Sequence, residues 1–387
     1  MSENASFGAA TTVPGAVIKL ARDVGFDICG IAPAEAYPEL SHLREWLDRG
    51  YAGEMKYLND ARRENSAQVF EAARSVIVVG LYYNRPQPYS TQVAPTNRDE
   101  SPRGWISRYA WGDDYHDVVL RKLQELIGAM RQELREEFQA RAYVDTGPIH
   151  ERAAGHHAGL GWLGKNTLLI NEKLGSWFFL GVIVTDLDLA ASASAQQRHQ
   201  LPPDLCGSCS LCIDACPTGA IVEPYVLDAR RCISYLSIEL RGSIPEELRT
   251  PMSRMVYGCD ICQDVCPWNR KAPNNAPAAF EPRPLATMPN AAQHESLFAP
   301  LLESIAALTE DQYRDLFRGS AIKRAKWQGL VRNACVALGN SKLRKGTTAY
   351  ERVTALLSDL TNQTEPLIAE HARWALERLT AQADRAF

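Results

Sequence analysis

The sequence predicts a chain in three parts: an α/β or α+β layered domain, a cysteine-rich ferredoxin-like segment, and an all-α tail. Three observations carry this reading. Helical and buried-strand patterns alternate through about residue 190, as in a layered domain. Eight of the ten cysteines fall between Cys206 and Cys266. Beyond about Leu301 the strand patterns vanish and only helical ones remain. The expected boundaries are 1–190, 191–290 and 291–387.

The first part opens with a helix over residues 17–27, where Val17, Ile18, Leu20, Ala21 and Val24 share a helical period up to Gly25. Ser41 is placed to cap a second helix through Leu43, Trp46 and Leu47. The run from Ser75 to Tyr83 is too continuously apolar for a half-exposed strand and reads as a buried central one. Asp113 to Phe138 is a long amphipathic helix, and Arg141 to Val144 a short strand that delivers Asp145 at its end. Ile149 to His157 reads as helix, followed by a Gly-rich turn, Gly159 to Gly164. Trp177 to Thr185 is a second buried strand. Ala190 to Pro203 is rich in Ala, Ser and Gln and reads as a linker. Pro273 to Pro289 holds five prolines and reads as irregular. Helical stretches are expected near 309–317, 321–338, 347–360 and 363–380, which suggests an α-hairpin or repeat-like cap.

Composition is that of an ordinary globular chain, with 45% hydrophobic and 23% charged residues. No apolar stretch reaches the length of a membrane span. The N-terminus lacks a basic region before an apolar one, and it lacks a twin-arginine signal, so a cytoplasmic location is expected. The net charge of −4 argues against a general nucleic-acid binder. Arg314 to Lys345 is different: it holds nine basic residues and a single acid, Asp315, so it carries about +8. A one-sign block suggests a polyanion contact; a solvated basic face is the plainer alternative.

The cysteines say more. The first run is Cys206-x2-Cys209-x2-Cys212-x3-Cys216-Pro217, the bacterial ferredoxin pattern, in which the fourth cysteine serves the other cluster. The second run, Cys259-x2-Cys262-x3-Cys266-Pro267, is one cysteine short, and Cys232 completes the count. Cys206, Cys209, Cys212 and Cys266 would then hold cluster one, and Cys216, Cys232, Cys259 and Cys262 cluster two. Structural zinc, which prefers separated two-cysteine knuckles, is the rival. Cys29 and Cys335 stand apart and read as buried thiols.

Other residues carry weaker signals. Asp145, ahead of Thr146-Gly147-Pro148, is a plausible proton donor if partly buried, or else a turn-capping residue. Tyr115 and His116 begin the long helix. Lys165 and Asn166 follow the Gly-rich turn and could meet a phosphate or an amide-rich cofactor. Gly159, Gly161 and Gly164 have dinucleotide-loop spacing, but a helix precedes them where a strand is required, so a Rossmann reading is rejected.

An ordered series of blocks resembles the epoxyqueuosine reductase family over nearly the whole chain. The blocks are Gly53-Glu-Met-Lys-Tyr-Leu58, Ala73-Arg-Ser-Val-Ile-Val78, Ile106-Ser-Arg-Tyr-Ala110, Gly112-Asp-Asp-Tyr-His116 and Val144-Asp-Thr-Gly-Pro148. They continue with Ala158-Gly-Leu-Gly-Trp-Leu-Gly-Lys-Asn-Thr167, Gly175-Ser-Trp-Phe-Phe-Leu-Gly181, Tyr257-Gly-Cys-Asp-Ile-Cys-Gln263 and Cys266-Pro-Trp-Asn269. The resemblance implies a cobalamin-binding N-terminal domain, two [4Fe–4S] clusters and a C-terminal helical domain of the HEAT type. It implies reduction of epoxyqueuosine to queuosine at the wobble base of a GUN-anticodon tRNA, with two electrons and two protons removing the epoxide oxygen as water. Asp145 matches the family's proposed acid. Tyr115, His116, Lys165, Asn166 and Ser237 would lie with it at the cobalamin pocket. The absence of an Asp-x-His-x2-Gly motif fits cobalamin bound without a protein imidazole on cobalt.

On the same resemblance, Lys323, Arg324, Lys326, Arg332, Lys342, Arg344 and Lys345 would grip tRNA phosphates while the target base leaves the loop stack. A monomer fed by an external one-electron donor, such as a flavodoxin or ferredoxin system, is expected. Two departures from the family pattern, His156-His157 and Val182, could alter pocket polarity. The competing readings are a cobalamin-dependent reductive dehalogenase, a ferredoxin-type electron-transfer protein, and a tRNA-binding protein whose clusters are only structural.

Overall fold

The structure, a computed structural model, describes residues 12–93, 96–192, 201–285 and 295–384. Its centre is a sheet of β1 (Ile28–Pro33), β2 (Ser75–Tyr82), β3 (Ala140–Tyr143) and β4 (Phe178–Thr185). The spatial order is β1-β2-β4-β3, with every neighbouring pair antiparallel. All eight residues of β2 are buried. Helices cover both faces of the sheet, which is why β2 reads as a continuous apolar run and not as an alternation. Each of its Val, Ile and Leu side chains contributes roughly 1.5–3 kcal/mol by leaving water.

α1 (Val13–Asp23) and α2 (Tyr115–Leu134) pack together over one face of the sheet. There Gly181 lets α2 approach; a Cβ on it would sit 2.8 Å from Val119. α3 (Glu151–His157) covers the other face. Val182, fully buried in β4 opposite Val78 and Tyr143, is a packing residue that leaves pocket polarity alone. The second helix begins at Leu43 behind a 3-10 turn, Pro38–His42, and Ser41 does not cap it. Ser41 Oγ instead donates to Pro38 O, so the hydroxyl closes the turn before the helix. The Gly-rich turn becomes a short hairpin of Trp162–Leu163 against Leu169–Ile170.

The cysteine segment is joined to the first part by a short parallel pair, Trp105–Ile106 beside Met255–Tyr257. Trp105, Ile106 and Trp111 therefore share a core with α4 (Ile233–Ile238) and with the C-terminal helices. Those helices are α5 (Leu302–Ala306), α6 (Glu310–Leu316), α7 (Lys326–Gly339), α8 (Thr348–Leu360) and α9 (Pro366–Asp384). Thr309 and Gln312 form a capping box at α6, the reciprocal satisfaction of two helix-end donors. The stretch expected as one helix over 321–338 is split, with a 3-10 turn through Ala325 and a break at Lys326, whose φ is 62°. α7 is the hub of the tail and packs against α4, α5, α9 and the Met255–Tyr257 strand, while α8 pairs with α9. Of the expected linker and the proline-rich stretch, 193–200 and 286–289 lie outside the described residues. No described helix is long and apolar enough to cross a membrane.

Arg332 on α7 is fully buried and so does not grip phosphate as expected. Its guanidinium donates to Leu236 O at 2.7 Å, Leu240 O at 3.0 Å and Gly242 O at 2.6 Å, clamping α7 to the end of α4. Charge counting along the sequence cannot tell such a buried clamp from a surface cation. Arg332→Ala leaves three carbonyls without donors, and it should lower the unfolding free energy by about 2–4 kcal/mol in denaturant titration.

Candidate active site and iron–sulfur centres

Asp145 follows β3 in a tight turn. Its φ is 60°, a left-handed conformation uncommon for a residue with a side chain. Two contacts hold it there. Its backbone N–H donates to Glu151 Oε1 at 2.6 Å, and its carboxylate accepts from Tyr115 O–H at 2.8 Å. Gly147 packs flat on the Tyr143 ring, where a Cβ would come within 2.4 Å. The Asp145 side chain is 69% exposed, so burial by the chain itself does not desolvate the acid as the sequence reading required.

The wall beside Asp145 comes from α2 and the tail together. Tyr115 stacks on Phe179 with ring centroids 4.4 Å apart and planes 2° from parallel. Burial first, then the negative charge of Asp145, raises the Tyr115 hydroxyl well above the usual tyrosine range. His116 Nδ1 lies 2.7 Å from Asp114, and its Nε2 lies 3.9 Å from Asp145. Asp114 caps α2, and its other oxygen pairs with Lys323 at 2.7 Å. Arg324 pairs with Glu239 at 2.7 Å and lies over the Tyr57 ring. Burial works against the Asp114 carboxylate, but its bonds to His116 and Lys323 outweigh that and hold it below the usual range. Asp114, Glu239 and Tyr57 were not singled out from the sequence. The capping position of Asp114 before Tyr115 was a visible signal; the other two are brought in only by tertiary packing.

Lys323 thus meets the start of α2 through Asp114, Arg324 feels the Asp145 charge, and much of the rest of the basic block is also paired with acids. Arg314 pairs with Glu310 and Asp311, Arg318 with Asp315, and Arg344 with Asp99. Lys326, Lys342 and Lys345 are exposed.

None of the ten cysteines forms a disulfide. Burial, then Cys266, Cys206 and Cys209, pushes the Cys212 thiol up to about 11, which places those four together. Burial, then Cys232, Cys212 and Cys216, raises Cys262, and Cys259 feels Cys262 and Cys232. The eight cysteines of the ferredoxin-type spacing thus lie near one another, Cys212 neighbouring Cys262 as well as Cys206, Cys209 and Cys266. Among the described residues no three His, Cys, Asp or Glu side chains converge on one ion.

The polar atoms of Lys165, Asn166 and Ser237 hydrogen-bond to the cysteine loops. Lys165 Nζ donates to Gly207 O at 2.6 Å and Cys209 O at 3.0 Å, and Asn166 Nδ2 to Cys262 O at 3.4 Å. Ser237 Oγ is buried, donating to Ile233 O and accepting from Gly258 N–H beside Cys259. His156 and His157 also face away from Asp145. His156 Nδ1 lies 2.9 Å from Gly161 O, and the His157 ring stacks on Tyr37 and reaches Glu39 at 3.0 Å. Cys335 is buried in α7, as expected; Cys29, in β1, is only half-buried.

Fold and site together define a layered α/β domain that presents an acid, followed by a cysteine-rich segment of ferredoxin-type spacing. A family described as "4Fe-4S double cluster binding domain" matches residues 205–269, and one described as "Epoxyqueuosine reductase QueG, DUF1730" matches residues 63–146. The epoxyqueuosine reductase of Pseudomonas aeruginosa is 38% identical over 359 residues, covering 92% of this chain and 92% of that one. The Escherichia coli epoxyqueuosine reductase is 38% identical over 356 residues, covering 92% and 86%. The chain belongs to the epoxyqueuosine reductase family. Among solved structures, an epoxyqueuosine reductase with an epoxyqueuosine-modified tRNA-Tyr stem loop is 28% identical with a TM-score of 0.79, covering 96% of this chain and 92% of that one. A Bacillus subtilis epoxyqueuosine reductase with its catalytic loop swung out of the active site is 27% identical, also at TM-score 0.79, covering 96% and 92%.

Cys232 is the outlying member of the second thiol group, so its loss is diagnostic. Cys232→Ala, purified without oxygen, should fall from about eight irons per chain to about four and keep the first cluster's signal. Retention of about eight irons would mean that another group holds the second cluster.

Proposed function

We propose that this chain reduces epoxyqueuosine to queuosine at the wobble position of tRNA. The observation that carries the reading is Asp145 at a strand end, its carboxylate held by Tyr115 and its backbone N–H by Glu151. Family membership across 92% of the chain supports it, as does the likeness to a relative holding an epoxyqueuosine-modified stem loop. In this reading Cys206, Cys209, Cys212 and Cys266 hold one [4Fe–4S] cluster, and Cys216, Cys232, Cys259 and Cys262 the other. The domains run 1–190, 191–290 and 291–387, and the helical tail is a HEAT-like unit that meets tRNA.

Cobalamin would be held near Tyr115, His116 and Asp145. Both imidazole nitrogens of His116 face carboxylates, which fits a corrin without a protein imidazole on cobalt. When bound, cobalamin supplies electrons to the epoxide carbon. Asp145 gives a proton to the departing oxygen, which leaves as water after two electrons and two protons. Tyr115 O–H fixes the direction of that carboxylate. Cofactor and nucleotide would complete the desolvation that the 69%-exposed acid lacks on its own. Lys165, Asn166 and Ser237 act one step back, holding the cysteine loops. Lys323 and Arg324 border the cleft, and Lys326, Lys342, Arg344 and Lys345 extend a cationic surface for phosphate. An external one-electron donor, a small flavin or iron–sulfur protein, would reload the clusters.

Asp145→Asn should slow conversion of epoxyqueuosine-containing tRNA by about 10²–10⁴-fold, with iron and corrinoid content unchanged. Conversion at the parent rate would remove Asp145 as the acid. Lys326→Ala with Lys342→Ala should lower the slope of log K against log salt by about 0.7 per lysine, measured by tRNA titration. An unchanged slope would put the phosphate contacts elsewhere.

A further inference from the structure

The carboxylate of Glu151 sits behind the acid, not in front of it. It lies at the first position of α3, six residues after Asp145, and its Oε1 accepts the Asp145 backbone N–H at 2.6 Å. That N–H belongs to the one residue of the turn with a side chain in the left-handed region, at φ 60°. A backbone held there costs on the order of 1–3 kcal/mol and persists only where surrounding contacts impose it. Tyr115 grips the side chain of Asp145, and Glu151 grips its main chain. The side chain itself is largely exposed, so packing does little to fix it.

The groups facing Glu151 sharpen its part. Arg63 and Arg152 stand near it, but each spends its guanidinium on backbone carbonyls: Arg63 on Tyr57 O and Ile149 O, Arg152 on Thr167 O. Burial and the charge of Asp145 both raise the Glu151 carboxyl well above the usual range, and the two arginines only partly offset this. A carboxyl oxygen can accept an N–H whether or not the group carries its charge. Its acceptor atom is what the Asp145 turn uses.

We infer that Glu151 is a positioning residue for catalysis: by accepting the Asp145 N–H it holds the strand-end turn closed, so that the acid points at the reacting epoxide. The inference rests on the reading of Asp145 as the proton donor and adds a residue to it. Releasing the N–H frees the turn to relax to an ordinary backbone conformation and carries the carboxylate away from the substrate. A displacement of about 1 Å at a reacting group can cost about 10²-fold in rate.

Two conservative variants separate the acceptor atom from the charge. Glu151→Gln keeps an oxygen at the same reach and removes the charge; Glu151→Asp keeps the charge and withdraws the oxygen by one methylene. Each is compared with the parent and with Asp145→Asn in single-turnover conversion of epoxyqueuosine tRNA, with tRNA affinity, iron content and thermal unfolding measured alongside. Glu151→Gln should keep kcat within about threefold of the parent, and Glu151→Asp should lose about 10-fold or more, with KM and tRNA affinity unchanged in both. In the Asp145→Asn background Glu151→Asp should cause no further loss, because it acts through the acid it positions. Parent-like kcat in Glu151→Asp overturns the inference, as does a Gln variant as slow as Asp145→Asn, which would assign Glu151 a charge or proton role. Full activity of Asp145→Asn would instead remove the acid on which the inference rests, and the two failures are distinct.

Discussion

Asp260 lies between Cys259 and Cys262 with 1% of its surface exposed, and its carboxylate accepts donors from the far side of the fold. Trp105 Nε1 reaches it at 3.1 Å, Arg108 N–H at 2.9 Å, and Ser107 Oγ also donates to it. A buried carboxylate costs several kcal/mol unless hydrogen bonds satisfy it. Its three donors come from the segment just before α2. The loop bearing two cysteines is thereby tied to the chain that delivers Tyr115 and His116. Arg108 extends the joint, donating to Arg85 O, Gln87 O and Pro88 O.

The rest of the site follows from this joint. With the cysteine loop fixed against residues 105–108, the Met255–Tyr257 strand takes its place beside Trp105 and Ile106, and α7 packs on that strand. Asn333 then donates to Ser237 O and Val256 O at 2.8 Å each, and Tyr257 O–H donates to Ala321 O at 2.6 Å. These contacts bring the 3-10 turn with Lys323 and Arg324 to the start of α2, where Lys323 meets Asp114. The acid, the aromatic wall and the cationic rim thus come from three separate stretches of chain held by one polar joint.

Much of this was legible in the sequence wherever chemistry is encoded locally. The cysteine spacing marked the cluster-binding segment because ligand reach is a property of short loops. The apolar runs gave β2 and β4 because burial on two faces leaves a continuous pattern. Asp145 was visible because a strand end before Gly147-Pro148 exposes a side chain. What escaped is tertiary. Arg332 counts as a surface charge in any local window, and only the carbonyls of α4 and the following turn reveal it as a clamp. Lys165 and Asn166 fall in a block shared with the family, yet their hydrogen bonds run to cysteine loops that arrive from far along the chain. Glu239 and Glu151 carried no signal, because an acid on a helix is ordinarily solvated.

The central claim is that the thiol groups and Asp145 serve one reaction, and the most direct measurement follows the wobble nucleoside. The anaerobically purified chain, loaded with cobalamin and supplied with a one-electron reductant, is incubated with epoxyqueuosine-containing tRNA, and the released nucleosides are weighed by mass spectrometry. The account predicts loss of one oxygen atom to give queuosine, dependent on both cofactor and reductant. Epoxyqueuosine recovered intact from a fully loaded chain would contradict it.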